Sequence, residues 1–254
     1  MRAPASLSAT PATTTLARSL VASLPLSYRL VQGAADVAVI PGDAAWPAAA
    51  TAATGHAATV VVIDPVAVSP PAADAAGQVV ISETFAGNPA IAALPGIPVA
   101  AAAIATASSV TSLSTGRGTV RRQIFEQVRV LRALGLGEPT VMDSQLAAHS
   151  ALITLSCVTS TGTILIRLQA AQTSAAPREH TFRWYGSDHV LSIRLPDSVT
   201  AQPASVQLLD PQAQTVLPTI YETAHRATLR SLGTRDRPDL TDFAHDVALI
   251  GSLG

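Results

Sequence analysis

The sequence predicts an α/β fold followed by α+β: an incomplete parallel sheet, then a larger, mainly antiparallel open-sheet domain. Three observations carry this reading. Compact apolar runs at Asp36–Ile40 (DVAVI), Thr59–Ile63 (TVVVI) and Gln78–Ser82 (QVVIS) are spaced by a helix and a linker, as buried parallel strands are. Arg121–Leu134 carries apolar residues at Ile124, Val128, Leu131 and Leu134 with arginine and glutamate between, the period of an amphipathic helix. A series of alternating runs with turn signals then follows, the pattern of antiparallel strands.

Residues 1–34 are expected to form a disordered tail and a short helix. Met1–Thr15 is rich in alanine, serine, threonine and proline, Ala17–Leu24 reads as the helix, and Ser27–Val31 as a strand or its edge. Residues 35–84 form the parallel part. Within it Trp46–Thr54 is a helix with Pro47 in its first turn and Gly55 beyond its end, and Asp64-Pro65 stops the TVVVI strand. Residues 85–254 form the open-sheet part. Gly135 and Gly137 end its first helix, and strands follow at Thr140–Ser144, Leu152–Val158, Thr163–Leu168, Thr181–Tyr185, Val190–Leu195 and Ser205–Leu209. Thr219–Leu232 and Leu240–Leu253 are closing helices around the polar turn Gly233–Pro238.

Composition narrows the chemistry. Of 254 residues, 48% are hydrophobic, enough for a sizeable core, and the net charge of −1 without a basic cluster argues against nucleic acid as the main partner. All 16 basic residues are arginine; the absence of lysine excludes Schiff-base chemistry and a P-loop lysine. The apolar stretch Ile91–Ala105 is broken by Pro95 and Pro98 and is too short for a bilayer, so no membrane is expected. A single cysteine, Cys157, excludes an intramolecular disulfide and a cysteine-rich metal site, and a cytoplasmic protein is the simplest expectation.

Several segments in this order resemble the Gfo/Idh/MocA oxidoreductase family. Ala35–Ser69 resembles the late part of that family's Rossmann domain, where a Pro-rich substrate loop and a helix lead to a strand ending in Glu-Lys-Pro. Phe125–Val141 resembles its substrate-site helix, Ser160–Leu168 and Phe182–Pro196 two of its sheet strands, and Glu222–Leu253 its closing helix pair. The resemblance implies a Rossmann-like domain, a substrate cleft for a small molecule, and a C-terminal sheet that mediates homodimer or heterodimer formation.

Three departures from the family set the functional expectation. No G-x-G-x-x-G turn precedes Ala35, and Gly116-Arg-Gly118 lies in the wrong domain. Glu-Lys-Pro becomes Ile63-Asp64-Pro65, so the lysine that would meet nicotinamide and substrate is gone. The family's aspartate and histidine on the substrate helix become Arg122 and Glu126, with Arg129 at a later acidic position. The expectation is therefore no cofactor, with NAD(P) as the alternative. The expected activity is a non-redox step, a cyclisation, isomerisation or elimination of a small metabolite in specialised metabolism. The rival readings are a non-catalytic partner subunit of an active homologue and an NAD(P)-dependent reductase.

The candidate catalytic residues are Asp64, Glu83, Arg122, Glu126, Arg129, Arg183 and Tyr185. Asp64 and Glu83 lie at strand ends, where α/β sheets bind ligands; Asp64 before proline also suits a simple turn. Arg122, Glu126 and Arg129 at i, i+4 and i+7 share a helix face, either as an exposed ion-pair ladder or as a clamp for an acidic or keto group. Arg183 and Tyr185 share one face of their strand, flanked by His180 and His189. His225 and His245 fall in the closing helices, with no third ligand spaced for zinc.

Overall fold

The computed structural model describes residues 3–71, 79–94, 104–112, 119–160, 162–232 and 240–253. The chain divides into two compact units, Met1–Thr84 with Thr223–Ala244, and Phe85–Glu222 with His245–Gly254. Gln78, Gly116, Gly118 and the turn at 233–238 lie outside the described residues.

The first unit holds a five-stranded parallel sheet. Its elements are β1 (Ala5–Ala9), α1 (Thr14–Ser23), β2 (Tyr28–Leu30), β3 (Ala35–Pro41), α2 (Trp46–Ala53), β4 (Ala57–Ile63) and β5 (Val79–Ser82). The strand order is β2-β1-β3-β4-β5, with every neighbouring pair parallel. The described residues of this segment correct the expectation of a disordered tail: β1, α1 and β2 form a βαβ unit. ASLSA has one large apolar residue among small ones, so its own pattern carries little strand signal. Its place is fixed by pairing, because Leu7 stands opposite both Leu30 and Val37 and is fully buried.

A second correction concerns the closing helices. The helix Ala224–Ser231, expected in the C-terminal domain, belongs to the first unit. Leu229 joins the core formed by Leu7, Leu20, Tyr28, Val39 and Val61, and the Tyr28 hydroxyl donates to the Leu229 carbonyl at 2.7 Å. Trp46, fully buried, meets Phe243 edge-on at 5.7 Å and donates its ring N–H to the Val66 carbonyl.

The second unit carries α3 (Pro89–Ala92), β6 (Ile104–Ser112), α4 (Val120–Ala133), β7 (Pro139–Leu146), β8 (Ser150–Thr159), β9 (Gly162–Thr173), β10 (Glu179–Tyr185), β11 (Val190–Pro196), β12 (Ser205–Leu209) and β13 (Gln214–Val216). The eight strands run in the order β13-β12-β11-β10-β6-β9-β8-β7, antiparallel throughout except for β6 beside β9. β6 was not expected, because IATASSVTS is polar and small; its position between β9 and β10 makes it a strand. α4 is the amphipathic helix read from the sequence, capped by the Thr119 side chain. It lies on one sheet face, where Gln123 and Gln127 donate to the carbonyls of Ala171 and Gln169.

Candidate functional site

Two clusters of chemistry-bearing side chains form, one in each unit. The first stands at the carboxyl ends of β4 and β5. Asp64 follows β4 directly with φ of 47°, a left-handed conformation that few residues besides glycine, asparagine and aspartate adopt readily. Its Oδ1 accepts the Thr84 backbone N–H at 2.6 Å and its Oδ2 the Thr84 hydroxyl at 2.7 Å. His225 places Nε2 3.4 Å from Asp64 Oδ2 and Nδ1 2.8 Å from the Ser82 hydroxyl, which in turn donates to Thr228.

Burial opposes the charge on Asp64, but the hydrogen bond and charge of His225, together with the two Thr84 bonds, outweigh it and lower the pKa to about 2. The carboxylate is therefore ionised at neutral pH, and one third of its side chain faces solvent. An imidazole held between this carboxylate and a buried hydroxyl has a fixed orientation. Glu83 follows β5 and is half-buried at the same strand end.

His225 carries no signal of its own in the sequence. It lies in a helical segment 143 positions from Ser82, and only the docking of that helix in the first unit brings the two together.

The second cluster lies in the second unit, around Glu126 on α4. Arg122 donates to its Oε1 at 2.9 Å, Arg178 pairs with the same oxygen, and His180 places Nε2 3.1 Å from Oε2. Arg178 also pairs with Asp197 at 3.5 Å and lies over the Phe85 ring at 4.7 Å. Burial again opposes the Glu126 charge, and the His180 hydrogen bond and the Arg178 charge overcome it, bringing its pKa to about 2. Arg122 and Glu126 thus meet as the i, i+4 spacing indicates, while Arg178 and His180 join them from a strand remote in sequence.

Three expected residues lie elsewhere. Arg129 does not join Glu126: its guanidinium pairs with the fully buried Asp246 at 2.8 Å, which Arg132 also contacts at 2.6 Å. The i+7 position lies two turns, about 10.5 Å, along the helix from Arg122, and there it meets that carboxylate. Arg183 and Tyr185 occupy the outer face of β10, because the alternation that buries His180, Phe182 and Trp184 turns them outward.

The turn between β1 and α1 is where a parallel sheet of this kind would hold a dinucleotide pyrophosphate. That turn, Thr10–Thr13, contains no glycine, and Pro11 has no N–H to offer. Its polar groups are turned inward: Thr13 Oγ1 accepts the Thr10 N–H at 3.1 Å and donates to the Val39 carbonyl at 2.8 Å. These residues do not fit a glycine-lined pyrophosphate cradle. Among the described residues, no group of three or more side chains is placed to hold a metal ion, and no helix is long and apolar enough to cross a membrane.

No protein-family model and no curated protein sequence matches the chain. Solved structures match it over nearly its whole length. An oxidoreductase from Sinorhizobium meliloti superposes with a TM-score of 0.73 at 11% identity, covering 99% of this chain and 97% of that one. A variant of KijD10, a 3-ketoreductase from Actinomadura kijaniata, in complex with TDP-benzene and NADP, gives 0.70 at 12% identity, with 98% and 96% covered. The open conformation of KijD10 with the same ligands gives 0.66 at 10% identity, with 98% and 96% covered. The fold is therefore the Gfo/Idh/MocA-type oxidoreductase fold, a Rossmann-like parallel sheet with a larger, mostly antiparallel sheet.

Proposed function

We propose that this oxidoreductase-fold protein catalyses a non-redox proton transfer on a small carbonyl metabolite, without a bound dinucleotide. The observation that carries the reading is the pairing of Asp64 with His225 at 3.4 Å, at the ends of parallel strands where such sheets bind ligands. The Asp64 carboxylate, one third exposed, takes a proton from the carbon beside the carbonyl, and the released electron pair moves into an enolate. Returning the proton to the neighbouring atom completes an isomerisation; loss of a β-leaving group with that proton completes an elimination. His225 and the two Thr84 bonds hold that carboxylate in place.

The test is deuterium exchange. The protein is incubated in heavy water with a panel of α-hydroxyketones and keto acids, and loss of the α-proton signal is followed by NMR. Protein-dependent exchange that Asp64→Asn abolishes is expected. No exchange with any panel member, together with carbonyl-dependent oxidation of NADPH, would overturn the proposal. That outcome would favour the reductase reading, which draws on the NADP in the KijD10 structures.

A partner role is favoured by a separate observation. On the outer face of the eight-stranded sheet, Leu165, Ile104, Tyr185, Val190 and Leu209 stand opposite one another in a single row across five strands. Ile104, Leu165 and Leu209 are each about half exposed. We propose that this row is a dimer interface, with a second copy or a homologous subunit as the occupant. Sedimentation that shows a dimer, converted to monomer by Leu165→Glu, is the expected result. A monomer at all concentrations, with no association with a homologue, would contradict it.

A further inference from the structure

β5 is apolar until its last residue. Val79, Val80 and Ile81 are buried, and so is Ser82, which places a hydroxyl in an otherwise apolar interior. Buried hydroxyls are held by partners, and here the partners show what the residue does. Ser82 Oγ donates to Thr228 Oγ1 at 3.1 Å and lies 2.8 Å from His225 Nδ1. His225 and Thr228 stand three residues apart on the helix Ala224–Ser231, so they share one helix face and straddle the hydroxyl.

Ser82 reaches Asp64 by two routes. Its carbonyl accepts the Asp64 N–H at 2.8 Å, and its hydroxyl holds the imidazole whose Nε2 stands 3.4 Å from Asp64 Oδ2. Thr84, two positions on, binds both carboxylate oxygens. Asp64 depends on such ties, because its φ of 47° is a left-handed conformation that surrounding contacts must hold. The ring depends on Ser82 in turn. Its other polar contacts, to Asp64 Oδ2 and Thr84 Oγ1, are both 3.4 Å, too long to orient an imidazole by themselves.

We propose that Ser82 is a positioning residue of the Asp64 site: its hydroxyl, anchored on Thr228, holds the His225 imidazole against the Asp64 carboxylate. The consequence for turnover rests on the proton-transfer reading; the consequence for Asp64 itself does not. In Ser82→Ala the backbone tie and both Thr84 bonds remain, and only the arm through His225 is released. Burial raises the Asp64 pKa, and the hydrogen bond and charge of His225 lead the influences that bring it down to about 2. Among the described residues, His225 on the helix, Glu83 after β5 and Asp43 after β3 are the titratable groups around this strand end, and the substitution touches only the first.

The experiment follows the Asp64 carboxyl carbon by NMR during an acid titration of the full chain. The wild-type carboxyl is expected to stay ionised at about pH 3, whereas in Ser82→Ala it titrates closer to its ordinary value of 3.8. The acid limb of α-proton exchange should move up with it, and kcat should fall about 10- to 100-fold at unchanged KM, the effect of a misplaced base. Thr228→Val removes the anchor and should act in the same direction, and Thr228→Ser should restore the wild-type titration. A serine that serves packing alone would cost stability and leave the titration where it was, so an unchanged Asp64 titration in folded Ser82→Ala overturns the proposal. If no panel compound exchanges, the proton-transfer reading fails while the titration still decides the role of Ser82. Should Ser82→Ala and Thr228→Val both fail to fold, the wild-type His225 Nδ1 resonance decides: a hydrogen-bonded shift supports the proposal and that of a free imidazole overturns it.

Discussion

Gly42 and Pro65 lie so close that a Cβ on Gly42 would stand 2.3 Å from the Pro65 Cα. The Gly42 N–H donates to the Ile63 carbonyl and the Gly42 carbonyl accepts from Val66, each at 2.8 Å, so the loops after β3 and β4 are laced together on both sides of Asp64. The contact is backbone against backbone, and no side chain can swing aside to relieve it.

Gly42→Ala is therefore expected to force the Asp64–Pro65 turn outward. The destabilisation should be about 1–3 kcal/mol, the usual cost of overpacking, and is read by urea unfolding. Proton exchange by the variant should fall with it, because the Thr84 bonds to Asp64 are disturbed. Unchanged stability would show that the two loops are not fixed by this contact.

Stability should fall on acidification in two stages. His180 has a depressed pKa, so its contribution is complete above its ordinary value of 6.5 and is lost as the pH falls below it. Asp64 and Glu126 have ordinary values of 3.8 and 4.5 and folded values of about 2, so their contribution is lost between about pH 4.5 and 2. Melting temperatures measured from pH 8 to pH 3 should decline below about pH 6.5 and more steeply below 4.5. His180→Gln should remove the first stage only.

Asp246 is fully buried between Arg129 and Arg132. Asp246→Asn leaves two guanidiniums without their carboxylate and is expected to cost about 3–5 kcal/mol in chemical denaturation. Replacing Arg129 by Met in the same chain should recover part of that loss. A loss below about 1 kcal/mol for Asp246→Asn would show the triad to be structurally idle.

The sequence is legible where one segment suffices. DVAVI and TVVVI are apolar after their first residue, and the segment that forms α4 repeats its apolar residues at helical spacing, so each announces itself. β1 and β6 do not, because ASLSA and IATASSVTS become strands only by pairing with neighbours on both sides. The sites divide in the same way. Arg122–Glu126 is an i, i+4 pair readable from spacing, and Asp64 from its place at a strand end. His225, Arg178 and Ser82 acquire their partners through tertiary contacts that no local pattern encodes. Arg129, Arg183 and Tyr185 stand apart from both clusters, because a shared stretch of helix or strand does not fix which side chains converge in space.

Proton transfer without a dinucleotide is tested most directly by a ligand titration. NADPH and NADH are added separately to the folded protein up to millimolar concentration, and melting temperature and the fluorescence of Trp46 and Trp184 are followed. A dinucleotide at a hundred times its dissociation constant would stabilise the protein by about 2.7 kcal/mol, an effect easily seen. Proton transfer without a dinucleotide requires no saturable change with either. A saturable shift with NADPH or NADH would contradict it and establish a phosphate site built without the glycine turn.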